Sequence, residues 1–176
     1  MNKKQIALTA TLLGAMVAVP ALADGPTLLA VSGKWAAYAS GKGRSKYCYA
    51  QGQPQSSAPV IKRDPIFFLV TDWPARGNPA QPSIAPGYNY KTGSMVTVDV
   101  GSDKFKFFTR NEGGGNAWAK DPEDEPRVVA AMKTSDDAII TGTTSKGIET
   151  RDVYSLTGFA DALKNTAQGI RQRTRH

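Results

Sequence analysis

The sequence predicts a mainly β fold: an antiparallel β-sandwich or partly closed barrel, with one short helix and one C-terminal helix on its outside or end. Three observations predict it. Short apolar or alternating runs are set between Gly, Pro, Asn, Asp and Ser clusters, as strands and their turns are. The segment SMVTVDVGSDKFKFFT reads as a hairpin: Val96, Val98 and Val100 alternate with Thr97 and Asp99, Gly101-Ser102-Asp103 turns the chain, and Phe105 and Phe107 alternate with Lys104 and Lys106. A period of two gives each strand one apolar face, so the sheet has a wet side and a dry side. Only PRVVAAMK and TGFADALKNTAQGI read as helices.

From the N-terminus, Lys3 and Lys4 precede a mostly apolar run, Ile6 to Val19, and Ala21-Leu22-Ala23 has the small-x-small form of a cleavage site. This is the pattern of a secretory signal peptide over residues 1–23. The run is too short for a membrane span, which needs about 20 apolar residues. The net charge of the chain is +7, and loss of the two leader lysines brings it to +5. The remainder has the length of one domain, read as residues 24–170, followed by a basic tail, 171–176. No second run is apolar and long enough to span a membrane, so the expected location is the periplasm, the outer envelope or the medium.

Trp35 to Ala39 and Tyr47 to Gln51 are predicted strands joined by a Gly-rich loop, and QGQPQSSAP is a predicted loop. Ile66 to Thr71 is apolar nearly throughout, as expected of a strand covered on both faces. WPARGNPAQPS is too rich in Pro and Gly for a central strand. After the Val/Phe hairpin, NEGGGNAWAKDPEDEP reads as a flexible acidic connection around Trp118, and Pro126 opens a short helix. Ala138 to Thr143 and Asp152 to Leu156 are predicted strands. Thr157 is the predicted N-cap of a last helix whose Phe159, Leu163 and Ala167 share one face. The end, RQRTRH, is expected to fray.

Several reaction classes fit poorly. The only histidine is His176, the last residue, whereas Ser-His-Asp and Cys-His chemistry needs an oriented imidazole. In GTTSKG, Lys146 precedes the second glycine instead of following it, so a phosphate-binding Walker loop is excluded. Lys91-Thr92-Gly93 lacks the Ser-x-x-Lys partner that penicillin-binding chemistry needs. One His and one Cys do not make a structural zinc site, and Asp121 to Glu125 lacks EF-hand spacing. No cofactor or metal is expected, and no catalytic residue is assigned. Export argues against nucleic acid as a partner. The lone Cys48 reads as a buried thiol on a strand, with a disulfide to another chain as the alternative.

Read in order, KYCYAQGQP, IAPGYNYKTGS, FKFFT, AWAKD, VVAAMK, GTTSKGIETRDVYSLTGF and ADAL resemble the invasion-associated locus B family of exported bacterial proteins. These pieces run from about Trp35 to Ala167. Family members often carry a second cysteine in the first strand or near the C-terminus. This sequence has none at either place, which argues against a family disulfide through Cys48. The resemblance implies a Gram-negative envelope protein with a non-enzymatic binding role at the periplasm or cell surface, in host-cell invasion or association. Its partner would be an envelope or host-surface protein.

The candidate contact residues are Lys146 and Arg151 at the late hairpin, Tyr88 and Tyr90 in GYNY, and Trp118. The tail arginines Arg171, Arg173 and Arg175 are candidates for weak contact with anionic lipid head groups, worth about 1 kcal/mol each near a charged surface. Two alternative functions stay open on the residues: a periplasmic small-ligand carrier with a cavity between sheets, and, less favoured, an envelope hydrolase or enzyme inhibitor.

Overall fold

The structure, a computed structural model, describes residues 25–173. The predicted leader, 1–23, and the last three residues of the basic end lie outside the described residues. Eleven strands form one antiparallel sheet in the order β1-β2-β3-β5-β6-β9-β8-β7-β10-β11-β4. They are β1 Thr27–Ser32, β2 Trp35–Ser40, β3 Tyr47–Gly52, β4 Ser56–Ala58, β5 Phe67–Trp73, β6 Asn78–Ala85, β7 Met95–Val100, β8 Asp103–Arg110, β9 Asn116–Ala119, β10 Asp137–Thr143 and β11 Glu149–Ser155. Two helices complete the fold, α1 Asp124–Thr134 and α2 Phe159–Arg173.

The sheet is unclosed, with β1 and β4 at its edges. It curls until its two halves meet around one core. Phe68 of β5 meets Tyr154 of β11 edge-on at 5.7 Å, and Trp35 of β2 packs on Phe159 of α2 at 4.8 Å. At one corner the halves are joined by hydrogen bonds: Trp35 Nε1 donates to the Ser155 carbonyl at 2.9 Å, and Lys34 N to that of Thr157 at 3.0 Å. α2 packs across β1, β2 and β3, and α1 against β6, so the helices add Phe159, Ala162, Val128, Val129 and Met132 to the core.

The β7–β8 hairpin has the predicted faces. Val96, Val98, Val100, Phe105 and Phe107 are buried, while Lys104 pairs with Asp99 at 3.1 Å and Lys106 donates to Thr97 at 2.7 Å on the wet side. β5 differs from expectation: Phe68 and Val70 are buried, but Phe67 and Leu69 on its other face stay half-exposed.

WPARGNPAQPS was not expected to hold a central strand, nor NEGGGNAWAKDPEDEP a strand, yet strand β6 begins in the first and strand β9 lies in the second. β6 carries Pro79 and Pro82 and lies inside the sheet, between β5 and β9. It tolerates them because β9 pairs with β6 only at Ser83 and Ile84. The stretch holding both prolines therefore has a strand on one side alone, and proline is accepted on such an edge. β9 lies within the segment read as a flexible connection, so Trp118 stands on a strand and not in a loop. The short strands β1 and β4 also escape the sequence reading. α2 continues through Arg173, so the first part of the predicted basic tail is helical, and Arg171 Nε donates to the Ala167 carbonyl at 3.3 Å. Among the described residues no helix is long and apolar enough to cross a membrane.

Candidate functional site

One end of the sheet is closed by the segment 86–91, which follows β6. Two turns hold it. Asn111, after β8, grips Tyr90 with both ends of its amide: Tyr90 N donates to Oδ1 at 2.8 Å, and Nδ2 donates to the Tyr90 carbonyl at 2.9 Å. On the other side, Ser145 N donates to the Asn89 carbonyl at 2.7 Å and Lys91 N to that of Thr143 at 2.9 Å. The GYNY segment is thereby fixed to the turn that carries Lys146.

The two tyrosine side chains of this segment point inward. Tyr88 and Tyr90 meet edge-on at 5.3 Å, and Tyr90 is 1 % exposed. Gly142 of β10 makes their room: a Cβ there would come within 2.9 Å of the Tyr88 hydroxyl and 3.0 Å of a Tyr90 ring carbon. A glycine inside a strand marks this kind of close approach. Beside them β11 turns Thr150, Asp152 and Tyr154 inward, three residues at a period of two, while Arg151 faces out. Tyr88 Oη and Thr150 Oγ1 are 2.5 Å apart.

Arg63, in the connection between β4 and β5, enters the same interior. Its guanidinium makes a two-pronged ion pair with Asp152, with both side chains about 95 % buried. Nη1 also donates to the Pro86 carbonyl at 3.3 Å, and the guanidinium stands 5.7 Å from the centre of the Tyr88 ring. A planar fork that matches a carboxylate and lies over an aromatic ring is an arginine arrangement that lysine does not reproduce. Burial is the main cause that raises the pKa values of Tyr88, Tyr90 and Tyr154. All three are therefore neutral phenols at physiological pH. The hydroxyls of Tyr90 and Tyr154 are buried without a hydrogen-bond partner among the described residues.

This arrangement is suited to holding shape. The acid and base neutralise each other, and the phenols are donors with no tendency to ionise. Its links tie the 63–66 and 86–91 segments to β10 and β11, so the hairpin tip stands on a fixed base. There, Lys146 is exposed in the tight turn from Thr144 to Ile148, and Arg151 is exposed on the outer side of β11.

The five sequence-predicted contact residues thus separate into three places. Lys146 and Arg151 are exposed on one hairpin, and Tyr88 and Tyr90 form the packing beneath it. Trp118 stands on β9, half-exposed and stacked on Phe108 at 5.8 Å, with Arg110 over the Phe108 ring. Arg63, Thr150, Asp152 and Tyr154 were not singled out. The available signal was the i, i+2, i+4 spacing of the last three, paired with an inward glycine on the neighbouring strand. Cys48 is buried on β3, the position on a strand expected of it. Among the described residues no group of three or more His, Cys, Asp or Glu side chains is placed to hold a metal ion.

No family model matches the sequence, and no curated protein matches it. Among solved structures, the chain is similar to invasion associated protein B from Bartonella henselae, with a TM-score of 0.56 and 15 % identity. The likeness covers 82 % of this chain and 99 % of that one. At this identity it shows a shared fold, so the chain has the mainly β architecture of that invasion-associated protein.

Proposed function

We propose that the protein is an exported, non-enzymatic envelope protein of the invasion-associated locus B type. It acts by binding a partner at the periplasm or cell surface, in host-cell association, after cleavage of a leader near Ala23. The contact surface in this reading is the β10–β11 tip, with Lys146 and Arg151 facing an acidic patch on an envelope or host-surface protein.

The observation that carries the reading is the contrast between the fixed base and the charged tip. Recognition residues commonly sit on loops positioned by a rigid scaffold. Here the backbone bonds to Asn89 and Thr143 hold the loop, and the Arg63–Asp152 pair holds the base. The fold shared with the Bartonella protein supports the same class of role.

The test is cross-linking of the tagged protein in its native envelope, followed by identification of what is captured. A Lys146→Glu/Arg151→Glu variant with unchanged unfolding midpoint should lose the dominant protein partner. Equal capture by that variant removes the hairpin from the reading. Turnover of an envelope substrate by the purified protein overturns the non-enzymatic assignment.

A further inference from the structure

The opposite end of β2, β3 and β5 differs in chemistry from the end just described. There the structure holds a half-enclosed cavity of about 330 Å³. One wall is the last part of α2 at Gly169 and Ile170. The others are the turns around Arg44 and Ala75 and the start of β3 at Tyr47 and Cys48. The space exists because small residues line it. A Cβ on Gly169 would fall 2.6 Å from Leu29 Cδ1, so the glycine lets α2 lie close on the sheet without filling the gap beside it. Ala39, Gly43 and Ala75 likewise put no bulk into it. Well-packed interiors leave few such voids.

The lining is mostly apolar, and among the described residues its only charged members are Arg44 and Lys46. Neither forms an ion pair with a described residue. Asp72 sits opposite Cys48 on β5 but is not part of the described lining, and burial raises its pKa. Ligand cavities run from about 300 to 1,000 Å³, so this one is at the small end and has no room for a two-chain lipid.

We propose that this cavity is a binding site for a single-chain, medium-length carboxylate, with the alkyl chain against Ala39, Cys48 and Ile170 and the carboxylate at Arg44 and Lys46. The site is separate from the β10–β11 tip and stands or falls apart from the partner-binding role. It makes the chain a carrier or sensor of free carboxylates as well as an interaction protein. A guanidinium and an ammonium at the mouth of an apolar slot distinguish the carboxylate from the alcohol of the same chain, because charge-assisted hydrogen bonds are the stronger ones.

The test is titration of the purified, ¹⁵N-labelled protein with decanoate, below micelle-forming concentration, followed by NMR. Saturable shifts are expected at the amides of residues 43–48, Ala75, Gly169 and Ile170. Arg44→Gln/Lys46→Gln should weaken binding about tenfold. Ala75→Trp, in an exposed turn, should abolish binding while the rest of the spectrum stays in place. The Lys146→Glu/Arg151→Glu variant should bind decanoate normally. Shifts elsewhere, no saturable shift, or equal binding of decanol and decanoate would each overturn the proposal. Binding to phosphatidylglycerol vesicles without binding of decanoate would also overturn it, because the cations would then serve a membrane surface.

Discussion

The two ends of β2, β3 and β5 begin from similar materials and arrive at opposite states. Each has tyrosine, cationic side chains and glycine. At the GYNY end, one arginine is drawn inside, paired with Asp152 and laid over Tyr88. At the Cys48 end, Arg44 and Lys46 remain at the mouth and no acid among the described residues lines the space. The glycines also do different work. Gly142 makes room that two tyrosines fill, whereas Gly169 lets a helix approach and leaves a gap. What differs is whether an inward acid is present. A buried cation needs a partner, so without one the cations stay where water can reach them.

The largest expected effect comes from breaking the internal pair. Asp152→Ala strands the Arg63 guanidinium in the core and should cost about 3–5 kcal/mol, read from urea unfolding. The joint variant Arg63→Met/Asp152→Leu should recover most of that loss, since apolar replacement of a buried pair is often neutral. An additive double variant would mean that the pair does not act as a unit. Next in size is Gly142→Ala. Its methyl would press on the Tyr88 hydroxyl and the Tyr90 ring, neither of which can move freely, and overpacking of this kind costs about 1–3 kcal/mol. A crystal structure of that variant should show the 86–91 segment displaced.

The smallest effect is Tyr154→Phe. It removes a buried hydroxyl that has no described partner, so stability at pH 7 should stay within about 1 kcal/mol of the parent or rise. Its signature lies at high pH. Tyr154 is raised above its ordinary value of 10.0, so the folded state keeps the proton where the unfolded chain loses it. That contribution is fully present below pH 10 and is lost as the pH rises beyond it. The parent should therefore weaken in alkali more steeply than Tyr154→Phe, as judged by unfolding midpoints between pH 8 and pH 11.

The same contrast explains what could be read from the sequence. The β7–β8 hairpin was legible because its valines and phenylalanines alternate without interruption and its lysines have wet partners. β6 was not, because its prolines forbid a central strand unless the neighbouring strand ends early, and nothing in NPAQPSIA tells where β9 ends. β9 was hidden by the glycines before it and the acids after it, so Trp118 read as a loop residue. Lys146 was legible as exposed because it sits in a Gly-bounded turn, and Arg151 because it lies in the polar run that follows it. Arg63 was not, since VIKRDP has no period and the acid that draws it inward lies 89 residues away. Asp152 was obscured by Val153: apolar content alone turns the valine inward, while the packing against Tyr88 and Arg63 turns Thr150, Asp152 and Tyr154 inward instead.

The most direct test of the contrast is native-state amide hydrogen exchange in the purified protein. The amides of Tyr90, Lys91 and Ser145, bonded to Asn111, Thr143 and Asn89, should exchange only through global unfolding. Those of Ser45 and Lys46, in the short turn beside the cavity, should exchange orders of magnitude faster through local opening. Fast exchange at Tyr90, Lys91 and Ser145, with protection equal to or below that at Ser45 and Lys46, would contradict the account: the GYNY end would then not be locked.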